Sequence, residues 1–206
     1  MGKWQGTLGE LVAPQHTAVM LIDVQEAFTS LPGLFPAVTE VLSRLRTFLD
    51  VARATGVLVV HARLVIPRDA YSMNWQRQFA ASFRAAIAPG AAATAFAEGF
   101  EPRAEEVLIT KHRYSAFYGT PLASMLRTRG IRTVILGGLT TDVCVGSTAR
   151  DAYQEDFQVV TLADGTAEVT GAQHEAALAT LDMNFGLVCS AEDVVAAWQR
   201  HTHVPA

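Results

Sequence analysis

Six short apolar runs, separated by stretches of helical periodicity, constrain the fold of this chain more than any other feature. The runs are Ala18–Ile22, Val57–His61, Val107–Thr110, Thr133–Gly137, Gln158–Leu162 and Gly186–Cys189. They are rich in Val, Ile and Leu and mostly lack a polar face of period two, the pattern of strands buried on both sides of a parallel sheet. Between them, Val38, Val41, Leu42, Leu45, Phe48, Leu49 and Ala52 fall at helical steps across Ala37–Thr55, and Gly56 follows as a C-terminal stop. Leu122–Arg129 with Gly130, Ala172–Phe185 and Ala191–Gln199 read as further helices, the last capped from the Ser190–Asp193 segment.

Strands alternating with helices imply right-handed crossovers. The expected fold is therefore α/β: a three-layer, Rossmann-like arrangement of a six-stranded, mainly parallel sheet, order 3-2-1-4-5-6, with helices on both faces. A chain of 206 residues that is 50% hydrophobic suits one domain over 1–206. The stretch from 62 to 106 breaks the rhythm and reads as an insertion. Within it Asn74–Ala88 reads as one helix, with Trp75, Phe79, Phe83 and Ile87 four apart on one face, and Ala91–Glu106 reads as loop.

Several function classes are disfavoured. The net charge is −4 and no Lys/Arg run occurs, which argues against a nucleic-acid partner. No run of about 18 apolar residues exists, so no membrane partner is expected. The first ten residues lack the apolar core of a signal peptide. Cys144 and Cys189 are too few for a disulfide framework, and a reduced, cytoplasmic protein is the simplest expectation.

Ligands of open parallel sheets bind beyond the carboxyl ends of the strands. Asp23 ends the first run, His61 and Arg63 lie near the end of the second, Lys111 ends the third, and Asp164 ends the fifth. The fourth, Thr133-Val-Ile-Leu-Gly-Gly-Leu139, leads into Thr140-Thr-Asp-Val-Cys144 and then a helix. Cys144 thus sits at a strand-to-helix turn, where free N–H groups and the helix dipole favour a thiolate. An Asp, a Lys and a Cys from three strands can meet in one crevice. The carboxylate can take the thiol proton, the ammonium can hold both anions, and the Cys144 N–H with one from the preceding loop can hold an oxyanion. Each residue alone has a blander reading: a strand-end Asp caps a turn, a Lys is solvated, and a Cys fills core space. Cys189, inside an apolar run, reads as core.

At these residues the chain resembles the isochorismatase-like cysteine hydrolases, which include nicotinamidases, N-carbamoylsarcosine amidohydrolases, biuret and ureidoacrylate hydrolases, and isochorismatases. The resemblance rests on Ala18-Val-Met-Leu-Ile-Asp-Val-Gln25, on Lys111-His-Arg-Tyr-Ser-Ala-Phe117, and on Gly137-Gly-Leu-Thr-Thr-Asp-Val-Cys-Val145 continuing into Ser147–Asp151. It extends from about Pro14 to Trp198. It implies a catalytic triad of Asp23, Lys111 and Cys144, an oxyanion hole from the N–H groups of Thr140 and Cys144, and a cis peptide at Leu139–Thr140. It also implies a homodimer or homotetramer.

The implied reaction is hydrolysis of a C–N bond in a small amide, carbamoyl or ureide substrate through a thioester, with no cofactor. Vinyl-ether hydrolysis of the isochorismatase type is the alternative, and a silent binding scaffold a remote one; Cys144 argues for C–N chemistry, since the vinyl-ether reaction needs no nucleophile. No metal is expected: nicotinamidases place an Asp-x-His pair after the second strand, whereas this chain has the lone His61. His174 reads as structural. Phe28, Tyr114 and Phe117 are candidate pocket walls, and Trp75, Arg77 and Arg84 read as a packing face with solvated arginines.

Overall fold

The computed structural model describes residues 6–201, so both ends of the expected 1–206 span lie outside it. In chain order the elements are α1 (Leu8–Leu11), β1 (Thr17–Ile22), α2 (Glu26–Thr29), α3 (Val38–Thr55), β2 (Leu58–Leu64), α4 (Met73–Gln78), α5 (Ala81–Ala86), β3 (Val107–Lys111), α6 (Leu122–Thr128), β4 (Thr133–Leu139), α7 (Gly146–Gln154), β5 (Gln158–Ala167), α8 (Gly171–Asn184), β6 (Leu187–Cys189) and α9 (Ala191–His201). The six strands form one sheet in the order β3-β2-β1-β4-β5-β6. Every neighbouring pair is parallel, not merely most of them.

The central strands β1 and β4 are buried along their whole length, as runs without a polar face must be. β3, at the sheet edge, alternates buried and exposed residues instead. Two apolar cores lie on opposite faces of the sheet. One packs Leu45, Phe48 and Leu49 of α3 against Val194 and Trp198 of α9, with Phe48 and Trp198 stacked at 5.3 Å. The other packs Leu122 and Leu126 of α6 and Ala149 and Ala152 of α7 against Met20, Val60, Ile109 and Leu136. Gly56 ends α3 in the left-handed conformation, with its N–H on the Ala52 and Arg53 carbonyls, so the sequence stop has its expected physical cause. Ser190 caps α9 reciprocally: its hydroxyl accepts from the Asp193 N–H at 3.1 Å while the Asp193 carboxylate accepts from the Ser190 N–H at 3.0 Å.

Three expectations are corrected. Asn74–Ala88 is not one helix but two, α4 and α5, separated by extended backbone at Phe79 (φ −110°, ψ 138°). The Arg84 guanidinium donates to the carbonyls of Gln76 and Phe79 at 2.7 and 2.6 Å, satisfying acceptors that the break would otherwise leave open. β2 and β5 also run further than their apolar cores. His61 and Arg63 therefore lie within β2, and Asp164 lies within β5, where its Oδ1 accepts the Ala191 N–H at the start of α9. Among the described residues no helix is long and apolar enough to cross a membrane.

Candidate active site

The chain leaves β1 towards β2 and β3 on one side and β4 carries it to the other, so the order reverses between β1 and β4. Ile22, the last residue of β1, is paired with Gly138 near the end of β4. Asp23 follows immediately, in the left-handed region at φ 53°, which a non-glycine residue occupies only when its surroundings enforce it. Its N–H is held by the Ala62 carbonyl of β2 at 2.8 Å.

Lys111 ends β3, two strands from β1, a separation of roughly 9–10 Å across β2. A four-carbon stem spans it. Lys111 Nζ lies 2.7 Å from Asp23 Oδ2 and also donates to the Arg113 carbonyl at 3.2 Å, and both side chains are fully buried. Asp23 Oδ1 makes no hydrogen bond of normal distance and angle among the described residues, although the Cys144 thiol is near enough to favour the carboxylate. An isolated buried ion pair contributes little net stability, because desolvation offsets the attraction. Its presence at the carboxyl ends of the strands therefore points to chemistry.

Cys144, 4% exposed, completes the cluster and interacts electrostatically with both charges. Burial pushes its thiol well above the ordinary range; Lys111 opposes the shift and Asp23 reinforces it. Burial thus works against the thiolate that the turn position favours. α7 begins at Gly146, and Cys144 lies inside a wider helical turn, Thr141–Val145, that runs into it and in which the Val145 N–H reaches back five residues to the Thr140 carbonyl at 3.1 Å. Burial raises the Asp23 carboxyl, with Lys111 and Cys144 opposing. Burial lowers Lys111, but attraction to Asp23 and Cys144 outweighs it and leaves the ammonium favoured.

The turn is fastened from several sides. The Leu139–Thr140 peptide is cis, as the resemblance implies. Thr148 of α7 donates to the Cys144 carbonyl at 2.7 Å and accepts the Ala116 N–H at 3.1 Å, which ties the cysteine to the segment after Lys111. Gln25, two residues beyond Asp23, is fully buried, and motif spacing alone assigns it no role. Its amide accepts the Leu64 N–H at 2.7 Å and donates to the Leu64 and Thr94 carbonyls, so it clamps the end of β2 beside Asp23. The available signal was a polar side chain two residues beyond the strand-end Asp.

The candidate walls separate. Tyr114 lies near enough to Cys144 for a thiolate there to raise its phenol further, burial being the larger cause. It also packs on Trp75 at 5.4 Å, which brings α4 to the site. Trp75, Phe79, Phe83 and Phe28 continue as a ridge of rings with neighbouring centroids 4.6, 5.2 and 6.0 Å apart, so Phe28 joins the same wall. Phe117 packs instead on Phe157 at 5.7 Å, in the core beneath α6 and α7. His61 is engaged by Glu106, at 2.8 Å, which Arg53 also holds. Among the described residues no group of three His, Cys, Asp or Glu side chains is arranged to hold a metal.

A parallel α/β sheet with a buried carboxylate, ammonium and thiol at its switch point defines a class of cysteine hydrolase. The chain belongs to the isochorismatase family: the isochorismatase domain matches residues 17–193. It is 30% identical to a maleamate amidohydrolase of Pseudomonas putida over 93% of this chain and 92% of the relative. It is 32% identical to a ureidoacrylate amidohydrolase of Methylorubrum extorquens over 84% of this chain and 78% of that protein. The fold is shared with a cysteine hydrolase from Pseudomonas syringae pv. phaseolicola at TM-score 0.82 and 24% identity, covering 92% of this chain and 95% of that one.

Proposed function

We propose that this chain is a cysteine-dependent amidohydrolase that cleaves a C–N bond of a small amide or ureide through a thioester. The carrying observation is the buried cluster of Asp23, Lys111 and Cys144, in which Lys111 Nζ holds Asp23 Oδ2 at 2.7 Å and Asp23 Oδ1 makes no hydrogen bond of normal geometry among the described residues. Cys144 Sγ gives its proton to Asp23 Oδ1 and attacks the carbonyl carbon. The N–H groups of Thr140 and Cys144 hold the oxyanion. Protonated Asp23 then gives that proton to the departing nitrogen as the C–N bond breaks. Asp23 takes a proton from water, the water attacks the thioester, and the expelled thiolate recovers the proton.

Lys111 makes this sequence affordable in a dry site. Moving the proton from thiol to carboxylate shifts the negative charge from Asp23 to Cys144 without creating a new one, and the ammonium faces both positions. The amidohydrolase names of two relatives support the substrate class, with maleamate and ureidoacrylate as the first compounds to try. The reading takes residues 1–206 as one hydrolase domain with an insertion at 62–106, as a homodimer or homotetramer, in a reducing cytoplasmic setting that keeps Cys144 free.

The test is ammonia release from a panel of small amides and ureides, run beside pyruvate release from isochorismate. Turnover of at least one amide, abolished in Cys144→Ala with the fold intact, is expected. Pyruvate release that survives Cys144→Ala would replace the reading with vinyl-ether chemistry.

A further inference from the structure

Two buried side chains from beyond β5 hold the residues that separate Thr140 from Cys144, and neither is needed to complete the Asp–Lys–Cys cluster. Thr141, fully buried, places its hydroxyl 2.9 Å from Nδ1 of His174, in the first turns of α8. In the tautomer that carries its proton on Nε2, Nδ1 accepts the Thr141 hydroxyl proton. Beside it Glu168, 2% exposed, accepts the Asp142 N–H at 2.9 Å on one carboxylate oxygen and the Val169 N–H at 2.8 Å on the other.

Both anchors are themselves fixed. The Glu168 backbone exchanges hydrogen bonds of 2.7 and 2.8 Å with Phe35, and the Phe35 ring packs edge-on to His174 at 6.1 Å. Consecutive residues of the turn, 141 and 142, are therefore pinned to one rigid corner formed by β5, α8 and the Phe35 loop. An oxyanion hole demands this kind of support, because its donors lose most of their effect when misplaced by a fraction of an ångström.

We infer that His174, acting through the Thr141 hydroxyl, is a positioning residue that sets the angle of the Thr140–Cys144 turn and with it the nucleophile and its oxyanion donors. The inference rests on the amidohydrolase reading for its kinetic consequence, but not for its geometric one. Glu168 serves the same turn through the Asp142 N–H.

The test uses Thr141→Val, which keeps the shape and removes the hydroxyl, His174→Leu, which removes the acceptor, and His174→Asn, whose Oδ1 stands where Nδ1 stood. In the full chain, Thr141→Val and His174→Leu should each lower kcat about 10–100-fold with KM nearly unchanged. The double variant should be no worse than either single one, since both delete the same bond. His174→Asn should restore most of the rate, and Thr141→Ser, which retains the hydroxyl, guards against a Val variant that fails to fold. A folded Thr141→Val with full kcat, or losses that multiply in the double variant, would overturn the inference. Alkylation of Cys144 by iodoacetamide, followed by peptide mass against Cys189, is read in the same proteins. It should change in Thr141→Val and His174→Leu and recover in His174→Asn even if no amide is turned over, which separates failure of the positioning role from failure of the amidase reading. Identical labelling in all of them sinks the positioning role.

Discussion

Gly138 and Ile22 meet backbone to backbone: a Cβ on Gly138 would overlap the Ile22 carbonyl oxygen. Gly138 also holds φ at 119°, where side chains are strained whatever the space. This contact sets the spacing between the end of β1, which presents Asp23, and the end of β4, which leads to Cys144. Gly138→Ala is expected to cost about 3 kcal/mol or more, from strain and overpacking together, and to abolish amide turnover. Gly56→Ala is the control. It has φ 76° but nothing within 4 Å of its Cβ, so about 1 kcal/mol is expected with activity kept. Equal effects on the denaturant midpoint would show that the close approach to Ile22 does not matter.

The Lys111–Asp23 pair makes a prediction that separates stability from chemistry. Lys111→Met leaves a buried carboxylate without its partner and should destabilise by about 3–5 kcal/mol. The double variant Asp23→Leu with Lys111→Met removes both charges and should recover much of that loss. Under the proposed mechanism turnover should fall at least about a thousandfold in both, because residues that act as one unit are not additive. Recovery of activity together with stability in the double variant would remove the pair from the mechanism.

The strands and the three strand-end residues were readable because burial on both faces leaves a run with no polar alternative. Asp23, Lys111 and Cys144 stand out as polar side chains where such runs stop. What the chain alone concealed depends on long-range partners. Trp75, Phe79 and Phe83 satisfy helical spacing, yet the backbone breaks at Phe79, and it does so with Arg84 supplying donors to Gln76 and Phe79. Asp164 looked like a strand end because β5 continues through polar residues to Ala167, past an irregularity in its pairing with β4. The burial that works against a Cys144 thiolate is a tertiary property, which periodicity does not measure. Gln25 and His174 act through carbonyls, amides and a hydroxyl that lie from 33 to 69 residues away in sequence.

Arg84 offers a local test of the α4–α5 break. Its guanidinium bridges the two helices through the Gln76 and Phe79 carbonyls, and the Tyr71 hydroxyl donates to its own carbonyl at 2.7 Å. Arg84→Ala should raise the rate of proteolytic cleavage within residues 73–86 several-fold while leaving global unfolding nearly unchanged, as expected for a local opening. Cleavage at the wild-type rate would show that the ridge of Trp75, Phe79 and Phe83 holds the segment without it.

Glu106 and His61, on the face of the sheet opposite the Cys144 core, give the chain a predictable response to acid. Burial would raise the Glu106 carboxyl, but Arg53, the Arg103 N–H and His61 prevail and hold it at about 2. Burial lowers His61 below its ordinary value, with Glu106 opposing. A carboxylate whose folded value is depressed binds fewer protons than it does unfolded, so its contribution is present above about 4.5 and is lost as pH falls towards 2. A histidine with a depressed folded value works in the same direction: the unfolded chain gains protons below about 6.5 that the folded chain refuses. Melting temperature should therefore decline in two stages, first below pH 6.5 and again below 4.5. At pH 7 Glu106→Gln should destabilise by about 2–4 kcal/mol, because it leaves Arg53 without its carboxylate. That penalty should shrink as pH falls from 4.5 towards 2, since the wild-type carboxyl is then protonated as well. A gap between variant and wild type that stays constant across this range would show that Glu106 does not carry the low-pH loss.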